Sequence, residues 1–416
     1  MPPVRILLVG AGSRGAVYAN YVAAHAGVEL VGLAEPRADR RVAVARRHAT
    51  LADASCEDWR LLAARSRFAD AVIIATGDAD HVEPAVAFAG LGYHVLLEKP
   101  MAPTADGCRR VVAAARQSGV IFAVCHVLRY TRYTERVKAL VTSGRIGRVV
   151  SLSHLEPVGY WHQAHSYVRG SWRNQAESSS MLLAKSCHDL DWIRYIVGER
   201  CRKISSFGNL LHFRADDRPA GAAERCVDCG IEPSCPYSAK KIYLGRARLG
   251  QRHWPVDVLT TDLSEAGLLR ALTEGPYGRC VYACDNDVVD HQVVNMQFES
   301  GATASFTMTG FTRQRDRETH IFGTRGELFG DGNRIRIHDF LTDETETLAI
   351  HEASDGTMAS GHGGGDDRLM DSFVAAVAAG DASKILTGFD DTLESHLMVF
   401  AAEAARLGSC VVDIDP

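Results

Sequence analysis

The sequence predicts an α/β N-terminal domain built on a doubly wound parallel sheet, followed by an α+β domain with a large, mostly antiparallel open sheet. Three observations predict this architecture. Short apolar runs alternate with helical patterns up to about residue 130, a glycine-rich turn follows the first run, and directly consecutive strand patterns occupy residues 288–350. The chain has 416 residues, which is enough for two or three domains with cores of their own.

The composition narrows the class of protein. Apolar residues make up 46% of the chain and charged residues 23%, as in ordinary globular proteins. Lysine and arginine total 46 against 51 aspartates and glutamates, and the formal charge of −5 argues against nucleic acid and membrane surfaces as partners. The longest apolar runs fall far short of the roughly 20 residues that cross a bilayer. The N-terminus lacks a secretion signal, so we expect a cytoplasmic protein.

The first domain, residues 1–130, is expected to contain parallel strands at residues 4–9, 28–34, 71–75, 95–97 and 120–124. Between the last two strands, residues 104–118 are rich in helix formers, and Thr104 is a candidate N-cap. This segment is predicted to be a crossover helix that covers the sheet.

The second domain is expected to span residues 131–366. Its predicted elements are a helix at 133–143, a strand at 149–155, a long helix at 181–197 and strands over 288–350, with turns at Ser300-Gly301 and Asp331-Gly332. Residues 214–287 are rich in Cys, Pro, Gly and charge, which indicates an insertion. Within residues 367–416, two helices at 368–379 and 391–407 are predicted to end the chain and to pack back on both domains.

A dinucleotide site is predicted where the first strand ends and a helix begins, because a helix N-terminus presents free N–H groups to a pyrophosphate. The turn consists of Gly10, Ala11, Gly12, Ser13, Arg14 and Gly15, a GxGxxG pattern. Glu35 closes the second strand, where a carboxylate accepts hydrogen bonds from ribose hydroxyls and favours NAD over NADP. Arg37, Arg40 and Arg41 weaken that preference. The alternative is that the glycines only form a turn and that Glu35 is solvated.

Two further segments carry a family resemblance. Leu-Leu-Glu-Lys-Pro at 96–100 ends a predicted strand, and Lys-Ser-Cys-His-Asp-Leu-Asp at 185–191 lies in the long helix. Together with the GxGxxG turn, they resemble the Gfo/Idh/MocA family of nucleotide-dependent sugar oxidoreductases over nearly the whole chain outside residues 214–287. The resemblance implies that Lys99 and His188 are the central catalytic residues. It also implies a cofactor site that includes Thr76, Asp78, His81, Glu98, Lys99, His126, Trp172 and Arg173.

The position of Lys99 supports the same chemistry. Because Lys99 precedes a proline, it is held in an extended conformation at a strand end, where parallel sheets bind ligands. An ammonium group there polarises a sugar hydroxyl or stabilises a developing alkoxide. The alternative is a surface lysine that pairs with Glu98.

The helical period places Lys185, His188 and Asp189 on a face opposite the apolar one. His188 is the candidate base that accepts a hydroxyl proton as hydride leaves the same carbon. The alternative is an exposed face with a Lys185–Asp189 pair. Many family members carry Asp four residues before the histidine, where this chain has Ala184. Asp189 is therefore a candidate substitute and Lys185 a further catalytic candidate.

Other polar and aromatic residues are candidates for the sugar site, because aromatic rings pack on the apolar face of a pyranose while His and Arg bind its hydroxyls. Beside His188, these candidates are Arg129, Tyr130, Tyr160, Trp161, His165, Arg169, Asp290 and His291. For each of them alone, a structural role is the simpler interpretation.

Among the 11 cysteines, a cluster in the insertion is a candidate structural zinc site. Cys226, Cys229 and Cys235 lie within ten residues, and Cys280 or Cys284 supplies a candidate fourth thiolate. A metal would also stabilise this irregular segment. Unpaired thiols and a redox pair are the alternatives.

These observations predict an NAD-dependent oxidoreductase that transfers hydride from a secondary hydroxyl of a sugar, cyclitol or glycoside. The resemblance also allows an NAD-dependent glycosidase that works by transient oxidation, elimination and re-reduction. A catalytically silent nucleotide-binding sensor is the third alternative. A homodimer or homotetramer is expected, because one face of the antiparallel sheet needs cover.

Overall fold

The computed structural model describes residues 2–48, 54–350 and 362–414, and its first domain is built on a parallel sheet. The strands are β1 (Val4–Val9), β2 (Val28–Ala34), β3 (Ser55–Cys56), β4 (Ala71–Ile74), β5 (His94–Leu97) and β6 (Phe122–Val124). They lie in the spatial order β3-β2-β1-β4-β5-β6. The order reverses between β1 and β4, and doubly wound sheets bind ligands at such a point, beyond the carboxyl ends of the strands.

Helices cover both faces of this sheet: α1 (Ser13–Ala24), α2 (Ala38–Ala45), α3 (Trp59–Ala63), α4 (Val82–Gly90) and α5 (Ala105–Ser118). All four residues of β4 are buried, as expected for a strand with an apolar layer on each side. The helix α5 begins at the predicted cap, because the Thr104 hydroxyl accepts a 3.1 Å hydrogen bond from the Gly107 N–H. The predicted doubly wound domain is confirmed. The strand β3 is missing from the prediction, because its two residues form no apolar run.

The second sheet contains nine strands: β7 (Val149–Pro157), β8 (Cys201–Asn209), β9 (His291–Phe298), β10 (Thr303–Thr309), β11 (Glu318–Gly323), β12 (Gly326–Gly330), β13 (Arg334–Asp339), β14 (Glu344–Ala349) and β15 (Val411–Asp413). Their order is β14-β13-β12-β11-β7-β10-β9-β8-β15. Among the described strands of this sheet, only β7 and β10 pair in parallel. The prediction of a large, mostly antiparallel sheet is confirmed.

One face of the second sheet packs on α6 (Arg132–Thr142), α8 (Met181–Val197) and α12 (Phe389–Gly408). Along β10 the buried residues are every second one, so the other face stays open. The helix α11 (Gly365–Ala379) packs on the first domain instead. The chain does not end with two helices as predicted, because β15 follows α12 and pairs with β8. Domain boundaries at residues 130 and 366 stay predictions.

The insertion has an apolar cluster of its own, which includes Tyr243, Leu268 and Val281. It contains α9 (Arg246–Arg248), α10 (Glu265–Glu274) and a π-helix at Lys240–Gly245. Before it, α7 (Tyr160–His162) continues into a second π-helix at Gln163–Arg169. None of the described helices combines the length and the apolar character that a bilayer crossing requires.

A buried ion pair fixes α8 to the first domain. Arg129, which follows β6, donates hydrogen bonds of 2.7 Å to both carboxylate oxygens of Asp191 in α8. Arg129 is 1% exposed, and its guanidinium also donates to the Leu386 carbonyl at 2.7 Å. Arg129 therefore has a structural role at this junction, and its predicted contact with a sugar stays a prediction.

Replacing Arg129 by methionine leaves the Asp191 carboxylate buried without its cation, so we expect the free energy of unfolding to fall by about 3–5 kcal/mol. Chemical denaturation of the purified chain measures this loss. Arg132→Met is the matched control, because Arg132 is exposed at the start of α6 and its replacement should cost less than about 0.5 kcal/mol. Equal stabilities of the two variants would contradict the role of the pair.

Candidate active site

The Lys99 ammonium and the His188 imidazole come together where β5 meets α8. Lys99 follows β5, and its Nζ donates a 2.7 Å hydrogen bond to the backbone carbonyl of Ala184 in α8. Ala184 lies one helical turn before His188. Burial, and then the Lys99 charge, lower the pKa of His188 well below its ordinary value. The structure therefore brings the two predicted catalytic groups to one place, and His188 is neutral at pH 7.

The polar face of α8 is buried rather than solvated. His188 is 5% exposed, and Asp189 and Trp192 are buried as well. Lys185 pairs with Glu156 at 3.2 Å, not with Asp189. The alternative of an exposed helix face with a Lys185–Asp189 pair is therefore wrong.

Asp189 belongs to a network of charges on the second sheet. Arg317 donates to its carboxylate, and His154 Nε2 lies 3.2 Å from Asp189 Oδ1. Arg317 also pairs with Glu156 at 2.9 Å, so the network extends to Lys185. Burial works in the opposite direction, but the Arg317 charge and the His154 hydrogen bond keep the pKa of Asp189 well below its ordinary range. Asp189 does not hold Lys99; the Ala184 carbonyl does.

Four histidine rings gather at the site. The His126 ring centroid lies 5.5 Å from that of His188 and 5.3 Å from that of His396, and His362 lies 5.9 Å from His188. Burial lowers the pKa of His126 to about 3, so this ring is also neutral at pH 7. Among the described residues, His188 Nδ1 and both ring nitrogens of His126 have no hydrogen-bond partner. A bound molecule can supply the hydrogen bonds that these buried ring nitrogens lack.

The glycine turn has the shape that a dinucleotide needs. Gly10 has φ of +91°, and a Cβ there would lie 2.4 Å from the Ala75 carbonyl oxygen. A Cβ at Gly15 would lie 2.0 Å from the Gly10 carbonyl oxygen, so side chains are excluded at both positions. The Glu35 carboxylate is buried beside the turn and accepts a 2.7 Å hydrogen bond from the Ala11 N–H. These residues fit an NAD-type cofactor, with Gly12 and Ser13 at the N-terminus of α1.

Arg14 links the glycine turn to the catalytic lysine. Its guanidinium donates to Glu98 at 2.6 Å and pairs with Asp366, and the Tyr18 hydroxyl donates to the same Glu98 oxygen at 2.5 Å. The other Glu98 oxygen accepts a 2.9 Å hydrogen bond from the Lys99 backbone N–H. Glu98 therefore holds the backbone of Lys99, whereas its charge is balanced by Arg14. A surface ion pair between the Lys99 and Glu98 side chains is not what the structure shows.

The other residues predicted at the cofactor site are only partly brought together. Asp78 accepts a 3.3 Å hydrogen bond from Trp172 Nε1, so these two adjoin. The rest have protein partners: Thr76 donates to the Asp80 carbonyl, His81 donates to the Pro100 carbonyl, and Arg173 pairs with Asp285. Their contact with a cofactor stays a prediction.

Several residues predicted at the sugar site bind other parts of the chain, and their contact with a sugar stays a prediction. Tyr130 binds Thr387, His165 binds Tyr243, Arg169 donates to the carbonyls of Arg279 and Tyr237, and Asp290 accepts from the His212 N–H and binds His291. Tyr160 and Trp161 in α7 remain candidates. Tyr160 is 40% exposed, and the Arg246 guanidinium carbon lies 4.0 Å from the centroid of the Trp161 ring.

The structure adds residues that the sequence analysis misses. Glu156 and Arg317 lie on separate elements and have no local motif. His362 and Asp366 lie in the Gly-His-Gly-Gly-Gly-Asp run at 361–366, and their side chains are 2.9 Å apart. This glycine-rich run was the available signal, since such loops allow close approach of the backbone to a ligand.

The predicted structural zinc site is not supported. Within the described ranges, no group of three or more His, Cys, Asp or Glu side chains is arranged to hold a metal ion. That result covers Cys226, Cys229, Cys235 and Cys280. All 11 cysteines are described, and each is a free thiol.

Two sequence profiles cover most of the chain. Residues 4–126 match the profile described as "Oxidoreductase family, NAD-binding Rossmann fold", and residues 138–412 match "Oxidoreductase family, C-terminal alpha/beta domain". Both belong to Gfo/Idh/MocA, and together they span the two sheets and the insertion.

Individual proteins show the same relationship. YteT of Bacillus subtilis, which is named as an oxidoreductase, is 24% identical over 314 residues, covering 73% of this chain and 71% of YteT. The 2,7-anhydro-N-acetylneuraminate hydratase of Escherichia coli is 27% identical over 49% of this chain, and the match spans 53% of the hydratase, about half its length. The structure of levoglucosan dehydrogenase in complex with NADH superposes with a TM-score of 0.72, at 20% identity and over 99% of both chains. That likeness shows a shared fold.

Proposed function

The chain belongs to the Gfo/Idh/MocA family of oxidoreductases, and from that premise we propose that it oxidises a secondary hydroxyl of a sugar, cyclitol or glycoside with NAD(H). The observation that carries the proposal is the meeting of a cationic lysine and a neutral histidine beside the dinucleotide turn. A structural neighbour named levoglucosan dehydrogenase, solved with NADH, supports the choice of substrate class and cofactor.

Lys99 and His188 have different roles at the substrate hydroxyl. A bound NAD+ would supply the acceptor for the hydride that leaves the substrate carbon. The Lys99 ammonium has three N–H donors, and the Ala184 carbonyl takes one of them, which leaves donors for the substrate oxygen. His188 is neutral and can therefore accept the hydroxyl proton. Lys99 stabilises the negative charge that develops on the oxygen as the proton leaves.

The proposed cofactor is NAD rather than NADP. The buried Glu35 carboxylate lies at the dinucleotide turn, and a 2′-phosphate beside it would be repelled. Two of the arginines that weakened this preference are engaged elsewhere. Arg37 pairs with Asp39 at 2.8 Å, and Arg41 donates to the Pro36 carbonyl at 2.9 Å.

A redox-neutral reaction is the second candidate, and the match to a hydratase favours it. In that case the same groups act on a substrate that is oxidised only transiently, so that elimination and addition of water become possible before the hydride returns. The proposed NAD-dependent glycosidase is one reaction of this kind. Both candidates use Lys99 and His188 at the same oxygen.

The proposal is tested with purified chain, NAD+ and a panel of free sugars, cyclitols, anhydro sugars and aryl glycosides. We expect NADH to accumulate with at least one free sugar or cyclitol and to form more slowly from NADP+. His188→Asn should lower kcat by about 100- to 10,000-fold, because the base is lost. His338→Asn is the matched control, since His338 lies far along the second sheet on β13 and binds Thr345.

The outcomes of this panel separate the candidates. Release of product without net NADH, with solvent deuterium entering the sugar, would support the redox-neutral reaction instead of net oxidation. Binding of NAD without turnover of any compound would leave a nucleotide-binding sensor and overturn both reactions. Equal kcat values for His188→Asn and His338→Asn would remove His188 from the mechanism.

The pH dependence of kcat/KM should report the environment of His188. Oxidation needs the neutral ring, so activity falls as the pH drops through the pKa of His188, which burial and Lys99 keep below its ordinary value of about 6.5. Lys99→Met removes a cation that opposes protonation, so the acidic limb of the residual activity should move to higher pH. Lys99→Arg keeps the charge and should leave the limb in place. A limb that moves equally in both variants would contradict this electrostatic coupling.

We propose that a second copy of the chain packs on the open face of the second sheet. A groove of about 370 Å³ lies there between Lys203, Asn295 and Thr303, and Phe207 and Val411 expose 66% and 63% of their surfaces. We expect light scattering to give the mass of two or four chains. A single-chain mass at micromolar concentration would contradict the proposed assembly.

A further inference from the structure

Four of the five cysteines in the insertion line one cavity. Cys226, Cys229, Cys235 and Cys280 surround a space of about 130 Å³, although Cys280 is more than forty residues from the others in sequence. The N–H of Cys280 donates to the Glu224 carbonyl at 2.8 Å, and the backbones of Arg225 and Arg279 pair in an isolated antiparallel β-bridge. These contacts hold the two segments side by side. The fold therefore assembles four thiols around one partly open cavity.

The arrangement does not suit a single metal ion. Tetrahedral zinc with bonds of about 2.3 Å draws its four sulfurs to within about 3.8 Å of one another. No such group is present among the described residues, and no disulfide closes the cavity. A polynuclear cluster differs in this respect, because its own irons and sulfides fill the space between four cysteine thiolates.

A buried arginine faces the same thiols. Arg169, at the end of the π-helix Gln163–Arg169, lines the cavity, is 1% exposed, and its Nη2 lies 3.5 Å from Cys226 Sγ. Its Nη1 has no hydrogen-bond partner among the described residues, and no described carboxylate lies within 4.0 Å of the guanidinium. A buried cation without an anion is costly. An anionic sulfur cluster would supply both the missing charge and a hydrogen-bond acceptor.

We propose that this cavity holds an iron–sulfur cluster bound by Cys226, Cys229, Cys235 and Cys280, with Arg169 as its hydrogen-bond donor. Each thiol releases its proton and donates a sulfur lone pair to one iron. The Cys-x-x-Cys spacing and the proline that follows Cys235 also occur among ferredoxin ligand patterns. The cluster would fasten the cysteine-rich segment to the loop that carries Cys280, independently of the proposed sugar oxidation.

The full chain, produced and purified without oxygen, tests this assignment. We expect equal molar amounts of iron and acid-labile sulfide, with at least two irons per chain, and a paramagnetic resonance signal after reduction with dithionite. Zinc at one per chain with no sulfide would overturn the proposal. Metal-free protein with four titratable thiols in the cavity would overturn it as well. These measurements on the unaltered chain decide the question even where a variant does not fold.

Matched cysteine variants locate the cluster. Cys229→Ser and Cys235→Ser should each lose most of the iron. Cys284→Ser is the control, because Cys284 is in the same insertion and its Sγ donates to the Cys280 carbonyl at 3.2 Å, but it does not line the cavity. Cys284→Ser should retain the iron and sulfide of the unaltered chain. Equal iron loss in all three variants, with folding retained, would overturn the ligand assignment.

Discussion

The hydrogen bond from the Lys99 ammonium to the Ala184 carbonyl is the contact on which the site depends. Lys99 follows strand β5 of the first sheet, while Ala184 belongs to the helix that packs on the second sheet. One bond therefore sets the distance between groups that are 89 residues apart in sequence. It also places a positive charge one helical turn from His188, where that charge helps to keep the imidazole neutral.

The helix that carries His188 can lie buried at the junction because its own charges are matched. Asp191 is bound by Arg129 from the first domain, and Asp189 is bound by Arg317, which directly precedes β11 of the second sheet. Each carboxylate would be costly to bury alone, since removal of a partner leaves an uncompensated charge. The two pairs hold the helix from opposite sides, which fixes the orientation of the histidine that lies before both carboxylates.

The parts of this structure that local patterns encode could be predicted, and the parts that depend on distant contacts could not. The parallel strands, the glycine turn and the cap at Thr104 follow from short segments, and so does the proposal of Lys99 and His188. The protein partners of Arg129 and Asp290 could not be predicted, because a sequence does not distinguish an arginine or aspartate that binds a ligand from one that binds a buried partner. Arg317 and Glu156 have no motif, since their roles arise only when strands from different parts of the chain become neighbours. The spacing of the cysteines likewise indicates that they can be metal ligands, but it does not give the distances between their sulfur atoms in the folded chain.

Because the Ala184 carbonyl is neutral, it holds the Lys99 ammonium without offsetting its charge. A carboxylate at that position would both hold the ammonium and offset its charge, whereas a carbonyl holds it and leaves it a net cation. An uncompensated cation stabilises an oxygen that is losing its proton and disfavours protonation of a nearby imidazole. The first effect makes the hydroxyl a stronger acid, whereas the second keeps the imidazole free before the reaction but makes it a weaker base. The replacement of a side-chain acid by a main-chain oxygen thus favours a division of roles in which Lys99 supplies charge and His188 takes the proton.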